Sequence, residues 1–212
     1  MIQTFSEDNF QSLCNKLARK DKELNSIIKT HGHPPMWTRP ATFQTLILTI
    51  LGQQVSLASA YAAFKKIKEK IGVVTPLKIL LLTDEELRAC YFSRQKIIYA
   101  KELAAAIQSK QLQIKKFSSA TDDEVRHELK KIKGIGDWTA DVYLMHALQR
   151  TDLFPLGDIA LVNSLKEVKQ LHPNITKEKM LLVAEPWRPY RTIAAMILWH
   201  AYIKKRNIKL QG

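Results

Sequence analysis

Cysteine is nearly absent from this chain, and long apolar runs are missing altogether. Cys14 and Cys90 are the only cysteines among 212 residues, too few for a disulfide framework or, by themselves, for a zinc or iron–sulfur site. No apolar run reaches the roughly 18 residues of a membrane helix, and the N-terminus has no basic segment leading into an apolar one. These absences predict no iron–sulfur cluster, no membrane partner and an intracellular, reducing location.

Turn-forming residues are scarce as well. The chain has 7 glycines and 8 prolines, fewer than an all-β sandwich or barrel normally uses. No segment shows a convincing period-two alternation, whereas Val125, Leu129 and Ile132 repeat with the spacing of a helix face. The sequence therefore predicts an all-α fold of about ten helices. The expected helices cover residues 5–30, 42–52, 56–70, 83–90, 94–109, 121–132, 138–148, 159–171, 176–184 and 189–205.

Positive charge is in clear excess. The chain has 33 Lys and Arg against 20 Asp and Glu, which gives a formal net charge of +13. Such a charge favours a polyanionic partner, with nucleic acid ahead of an anionic membrane. It also fits an ordinary protein whose helices carry lysine-rich, solvated faces. Charge alone leaves both interpretations open.

The most informative segment is a predicted helical hairpin at residues 129–148. Gly134, Ile135 and Gly136 join its two helices; glycine permits a close backbone approach there, and Ile135 can tuck inward. The second helix begins at once, so its free N–H groups and dipole form a site that suits a phosphate. A helix corner with a glycine cap and no ligand is the alternative. Three lysines flank the turn and add positive charge: Lys130, Lys131 and Lys133.

Three further motifs accompany the hairpin in order along the chain. A Leu-Gly-Gln-Gln-Val-Ser segment lies at 51–56, a Phe-Pro-Leu-Gly-Asp segment at 154–158, and a tryptophan-rich segment at 187–200. Together with the hairpin, this set resembles the helix-hairpin-helix (HhH-GPD) DNA glycosylases, and within them the alkylpurine branch, the 3-methyladenine DNA glycosylase II family. The resemblance covers residues 41–204, most of the chain.

The resemblance implies a two-lobed helical fold with the active-site cleft between the lobes. The implied central lobe covers residues 42–154 and carries the hairpin. The implied second lobe combines residues 1–41 with residues 155–212. Only about 40 residues precede the matching stretch, so we expect no additional N-terminal α/β domain of the kind that some bacterial relatives carry.

Asp158 stands where the family has its aspartate, in a loop of the form Pro-x-x-Asp after the hairpin. The resemblance implies that this carboxylate stabilises the oxocarbenium-like transition state of N-glycosidic bond hydrolysis and orients or deprotonates the attacking water. From the residues alone, Asp158 also suits the N-cap of the helix expected from Ile159. The two roles are compatible.

The base pocket implied by the resemblance contains aromatic side chains. Trp138 and Trp199 match aromatic pocket positions of the alkylpurine branch, where a ring face attracts a cationic alkylated purine; core packing is the alternative for Trp199. A tyrosine of some relatives is replaced by Val142, and Tyr143 beside it, our third pocket candidate, faces about 100° away on a helix. Bifunctional relatives carry a lysine at the position of Trp138, and without that amine no Schiff base forms.

Contacts with DNA are implied at two turns. Gln54 takes the place of the side chain that enters the gap left by the flipped nucleotide, with Gln53 beside it; a plain surface loop is the alternative. At the hairpin the implied DNA-contacting residues are Lys131, Lys133, Gly134, Ile135, Gly136 and Thr139. A monovalent cation, Na⁺ or K⁺, is implied at the main-chain carbonyls of Lys130, Ile132 and Gly134, and no other cofactor is required.

The function implied by the resemblance is that of a monofunctional DNA glycosylase. It would flip alkylated purines, 3-methyladenine and 7-methylguanine, out of duplex DNA and hydrolyse their N-glycosidic bonds in base excision repair. The alternatives are a non-catalytic helix-hairpin-helix protein that recognises DNA structure and a glycosylase/lyase with a different nucleophile. The expected partner is double-stranded DNA containing alkylated bases. We expect a monomer in the cytoplasm or nucleoid, or in the nucleus of a eukaryote.

Overall fold

The computed structural model describes residues 2–208, and within them the chain is helical. The described part contains no strand, only one isolated β-bridge between Thr4 and Arg150, which confirms the all-α prediction. None of its helices is both long enough and apolar enough to cross a membrane. The twelve α-helices of this part are α1 (Glu7–Lys20), α2 (Lys22–His31), α3 (Phe43–Leu51), α4 (Leu57–Ile71), α5 (Pro76–Leu81), α6 (Asp84–Ala89), α7 (Arg94–Gln108), α8 (Asp122–Lys130), α9 (Asp137–His146), α10 (Ile159–Val168), α11 (Lys177–Ala184) and α12 (Arg191–Lys205).

Side-chain caps begin several of these helices where the sequence predicted them. Thr83 and Glu86 form a reciprocal capping box at α6, and Thr121 and Glu124 form another at α8. The Ser56 hydroxyl accepts the N–H of Ser59 at the start of α4. Each cap satisfies backbone donors that the first helical turn leaves open. These three helix starts are therefore confirmed.

One helix prediction was wrong, and one helix was missed. The single helix expected at 5–30 is two, because Asp21 interrupts it and its carboxylate accepts the N–H groups of Glu23 and Leu24 at 3.2 and 3.1 Å. Helix α5 was not predicted. It begins with Pro76 in the first turn, where the missing N–H costs nothing, and the Thr75 hydroxyl accepts an N–H of that turn.

The described residues form two compact units. One contains the chain up to Thr38 and again from Gln149; the other is Arg39–Leu148. The resemblance places these two boundaries near residues 41 and 154. We call them the terminal unit and the central unit, and each has its own buried helix.

In the central unit the buried helix is α3. Every residue of α3 except Gln44 is buried, as expected for a helix that is apolar all round. It packs against α4, α7 and α9. Its two buried threonines donate hydroxyl hydrogen bonds to backbone carbonyls, Thr45 to Pro40 at 2.6 Å and Thr49 to Thr45 at 2.8 Å. This packing fixes the end of α3, where the Gly52–Ser56 turn begins.

In the terminal unit the buried helix is α12. All its residues from Thr192 to His200 are buried, and it packs against α1, α2 and α10. The Ser164 hydroxyl of α10 donates to the carbonyl of Leu198 at 2.6 Å. This buried hydrogen bond fixes the register between α10 and α12, and it thereby positions the side chains at the N-terminus of α10 relative to Trp199.

A half-buried polar cluster holds the terminal unit together. Asp21 Oδ2 accepts the Lys169 ammonium at 2.6 Å and the Trp187 indole N–H at 2.7 Å, and Glu23 binds the same ammonium at 2.8 Å. Burial raises the pKa of Asp21, but hydrogen bonds from Lys169, Leu24 and Trp187 outweigh it, so the pKa lies below its ordinary value. The cluster ties the N-terminal helices to the C-terminal half of the chain.

Replacing this carboxylate should destabilise the terminal unit. In Asp21→Asn the amide oxygen still caps α2, but the ion pair with Lys169 is lost. We expect a loss of about 1–3 kcal/mol in the free energy of unfolding at neutral pH, measured by chemical denaturation.

The same comparison has a predicted pH dependence. A carboxyl group whose pKa is lowered by folding stabilises the fold above its unfolded pKa, and this stabilisation disappears as the pH falls through the folded value. The difference between wild type and Asp21→Asn should therefore shrink below about pH 4. The prediction would be contradicted if wild type and Asp21→Asn differed in their free energy of unfolding by the same amount at pH 7 and pH 3.

Candidate functional site

Asp158 occupies the N-cap of α10 in the terminal unit. Its Oδ1 accepts the N–H of Leu161 at 2.8 Å and the indole N–H of Trp199 at 3.0 Å. A backbone hydrogen bond from Asp158 to Pro155 closes the preceding turn. The predicted N-cap role is confirmed, and Asp158 and Trp199 are brought into contact. Two donors on one oxygen hold the half-buried carboxylate in a fixed orientation.

The sequence gives no sign that His200, the residue after Trp199, packs against two other aromatic rings of the terminal unit, those of His31 and Trp37. His200 follows Trp199 and is buried, with Nε2 at 3.0 Å from the carbonyl oxygen of His31. Its ring centroid lies 6.2 Å from that of His31 and 6.4 Å from that of Trp37. Burial lowers the pKa of His200, so the imidazole is uncharged near neutral pH. No local pattern links residues 31, 37 and 200.

The hairpin of the central unit has the geometry that its glycines predicted. Gly134 has φ 87°, a region that favours glycine, and Ile135 is 4% exposed, so its inward position is confirmed. A Cβ on Gly134 would lie 2.1 Å from Cγ of Tyr99 on α7. Residue 134 must therefore be glycine for two reasons. Its φ disfavours any residue with a Cβ, and a Cβ would overlap the Tyr99 ring. Tyr99 was missed because nothing in the local sequence connects it to residue 134.

Gln53 is half-buried, and its side chain contacts the hairpin. Its amide nitrogen donates to the Gly134 carbonyl at 2.8 Å and to the Thr139 hydroxyl at 2.9 Å, and Thr139 is 2% exposed. Gln53 and Thr139 are therefore hydrogen-bonded to each other. That either side chain contacts DNA stays a prediction. Gln54 is exposed and has φ 56°. Its place at the surface of the turn suits the predicted gap-filling role.

The hairpin lysines differ in their surroundings. Lys130 Nζ lies 2.5 Å from an Asp137 carboxylate oxygen, and Lys131 Nζ lies 2.6 Å from one of Glu128. Lys133 is exposed and forms no ion pair within residues 2–208. The excess positive charge at the turn is therefore carried mainly by Lys133.

Two of the three carbonyls predicted to bind a monovalent cation accept hydrogen bonds. Ile132 oxygen accepts the N–H of Ile135 at 3.0 Å, and Gly134 oxygen accepts the Gln53 amide. A carbonyl oxygen has two lone pairs and can accept a hydrogen bond while it contacts a cation, so the cation stays a prediction. In the described part of the chain, no three His, Cys, Asp or Glu residues are grouped as metal ligands.

The two remaining pocket candidates lie on α9. Trp138 lies in the first turn of α9 and is half-buried. Tyr143 is fully buried with its ring against Phe117, at a centroid distance of 6.2 Å, and burial raises the pKa of its phenol. The Tyr143 hydroxyl has no hydrogen-bond partner among the described residues. Contact of either side chain with a base stays a prediction.

The family of the chain follows from a sequence match that spans the hairpin and Asp158. Residues 47–189 match the model of the HhH-GPD superfamily base excision DNA repair proteins. The chain belongs to this superfamily. The match includes the Gly52–Ser56 turn, the hairpin and the N-cap of α10, so three of the four segments that carried the resemblance lie within it, while Trp199 lies beyond its end.

Individual relatives point to the branch that the sequence suggested. The chain is 33% identical to DNA-3-methyladenine glycosylase 1 of Schizosaccharomyces pombe over 84% of this chain and 80% of that protein. It is 31% identical to the putative DNA-3-methyladenine glycosylase YfjP of Bacillus subtilis over 84% of this chain, and it spans 65% of that relative's length. The predicted resemblance is confirmed.

A solved structure agrees with this fold. The 3-methyladenine DNA glycosylase of Schizosaccharomyces pombe, determined in complex with abasic DNA, matches with a TM-score of 0.82 at 27% sequence identity. The match covers 95% of this chain and 99% of the other. The helices of this chain and the connections between them therefore correspond to those of that structure over nearly the whole length of both chains.

Proposed function

We propose that this member of the HhH-GPD superfamily is a monofunctional DNA glycosylase that removes alkylated purines, such as 3-methyladenine and 7-methylguanine, from duplex DNA in base excision repair. The observation that carries the proposal is the Asp158 carboxylate, fixed by the Leu161 N–H and the Trp199 indole at the N-terminus of α10. Its relatives carry names of 3-methyladenine glycosylases. DNA is the proposed partner, and the protein would act as a monomer wherever the cell keeps its DNA.

The proposed reaction breaks the bond between C1′ of the deoxyribose and N9 of the purine. The bonding electron pair leaves with the cationic base, which departs neutral, and positive charge develops on the sugar. A carboxylate held beside the sugar stabilises that charge without reorganising. Water then adds its oxygen to C1′ and gives a proton to Asp158. The products are a free purine and an abasic site.

Alkylated purines are the proposed substrates because their charge already weakens the glycosidic bond. A cationic base is attracted to aromatic faces by roughly 0.5–2 kcal/mol for each contact. We assign this role to Trp199, whose indole N–H contacts the Asp158 carboxylate; for Trp138 it stays what the resemblance implies.

Strand cleavage is not part of the proposed reaction. Lyase activity in this family needs an amine that attacks C1′ and forms a Schiff base. Trp138 stands at the position where bifunctional relatives carry the lysine, and an indole cannot do this. Lys133 lies before the turn and is assigned to phosphate binding instead.

One experiment tests the proposal against both alternatives. Methylated duplex DNA is incubated with the protein, and free bases and strand scission are measured with and without borohydride. Release of 3-methyladenine without strand cleavage supports a monofunctional glycosylase. Tight DNA binding with no base release would indicate a binding protein, and a borohydride-trapped adduct would indicate a lyase.

The phosphate role of the hairpin gives a separate prediction. Lys133→Ala should weaken binding to duplex DNA and lower the slope of log K against log salt by about 0.9, because one phosphate contact is lost. Lys131→Ala is the matched control with a smaller effect, since Glu128 already pairs with that ammonium. Fluorescence anisotropy across a salt series measures both. An unchanged slope in Lys133→Ala would contradict the assignment.

A further inference from the structure

The amide of Gln53 joins two segments that are far apart in the sequence. It lies in the turn after α3, yet it donates to Gly134 and Thr139, which are 81 and 86 residues away. One side chain therefore bridges the Gly52–Ser56 turn, the carbonyl of the hairpin turn and the first turn of α9. All three belong to the central unit.

Helix α7 contacts both the end of α3 and the hairpin turn. Lys96 Nζ donates to the carbonyl of Leu51, the last residue of α3, at 2.7 Å. Tyr99 follows three residues later, nearly one turn along α7, and its ring contacts Gly134. The end of α3 and the hairpin are thus both held by α7, and Gln53 is the direct link between them.

The residue after Gln53 has a different environment. Gln54 is exposed, in the left-handed region, with no side-chain hydrogen bond in the described part of the chain. Its backbone continues directly from the Gln53 link. The position of Gln54 relative to the hairpin is therefore set through Gln53 and not through contacts of its own.

We infer that Gln53 is a positioning residue that sets the register between gap-filling Gln54 and the phosphate-binding hairpin. This inference rests on the proposed function, in which the hairpin holds the DNA backbone while Gln54 replaces the extruded nucleotide. A fixed spacing between the two places Gln54 opposite the gap when the phosphates are bound. Gln53 acts on base extrusion and leaves the affinity for undamaged duplex nearly unchanged.

The test separates extrusion from binding. Gln53→Ala should lower the single-turnover rate of 7-methylguanine release at saturating protein by about tenfold, from the loss of two hydrogen bonds, while the Kd for undamaged duplex changes less than about twofold. The release rate of Thr139→Val should fall less than that of Gln53→Ala, because the Gln53 amide can still donate to the Gly134 carbonyl. Gln95→Ala is the matched control, an exposed glutamine on α7 with no expected effect.

A double-mutant cycle tests the coupling itself. If Gln53 acts by positioning Gln54, the double variant Gln53→Ala/Gln54→Ala should release base no more slowly than Gln54→Ala alone. Rate losses that multiply would overturn the inference. Equal losses in duplex affinity and release rate in Gln53→Ala would also overturn it, since they would indicate a general effect on the hairpin.

A readout without chemistry separates failure of the inference from failure of the proposed function. 2-Aminopurine placed beside an abasic-site analogue reports on base stacking at the gap by its fluorescence. Wild-type protein should change this signal on binding, and Gln53→Ala and Gln54→Ala should reduce the change to the same extent. Wild type that releases no base refutes the proposed function. Gln54→Ala that reduces the fluorescence change while Gln53→Ala does not refutes the positioning role.

Discussion

Asp158→Asn should lower the rate of base release by about two to three orders of magnitude while binding to duplex DNA persists. Asparagine keeps the size and the acceptor oxygen of the side chain, so the hydrogen bonds from Leu161 and Trp199 can form as before. What disappears is the negative charge that stabilises the developing oxocarbenium ion and the base that accepts the proton of water.

The measurement is single-turnover release of 7-methylguanine from methylated duplex, with Kd determined on the same duplex. Asp8→Asn is the matched control, because Asp8 is an exposed aspartate on α1 of the same unit. Melting temperatures of both variants should remain near that of wild type, since asparagine also serves as an N-cap. Release by Asp158→Asn at the wild-type rate would refute the catalytic assignment.

Gly134→Ala should have the largest effect on the central unit. A Cβ at this position would lie 2.1 Å from the Tyr99 ring, and φ is 87°. The backbone conformation costs about 1–2 kcal/mol for a residue other than glycine, and the overlap costs about 1–3 kcal/mol more. We expect a loss of roughly 2–5 kcal/mol in the free energy of unfolding, with weaker DNA binding because the hairpin turn that would hold the phosphate is distorted.

Two comparisons separate the backbone cost from the overlap. Gly136→Ala is the matched control, because a Cβ there meets no heavy atom within 4 Å; its loss in stability should stay below about 1 kcal/mol. In a Tyr99→Ala background, Gly134→Ala should cost only the backbone part, and the difference measures the ring contact. A Gly134→Ala variant as stable as wild type would contradict the described packing.

Local sequence signals predicted most of the helices. The Thr83 and Thr121 caps were found because a hydroxyl and a carboxylate three residues apart satisfy neighbouring N–H groups, an interaction that needs no tertiary partner. The break at Asp21 was missed because the apolar spacing continues from Leu17 to Leu24 across it. Only the tertiary structure shows that the Asp21 carboxylate caps a new helix and also accepts hydrogen bonds from Lys169 and Trp187.

The all-α class, the hairpin with its glycines, and Asp158 as an N-cap could all be predicted from the amino-acid order, because each depends on residues within one or two helical turns. Three contacts emerge only from the packed molecule: the Trp199 indole donates to Asp158, 41 residues away, the Tyr99 ring packs against Gly134, and Gln53 links its turn to the hairpin. These contacts depend on how buried helices pack, and no local pattern encodes which distant side chains that packing brings within hydrogen-bonding distance.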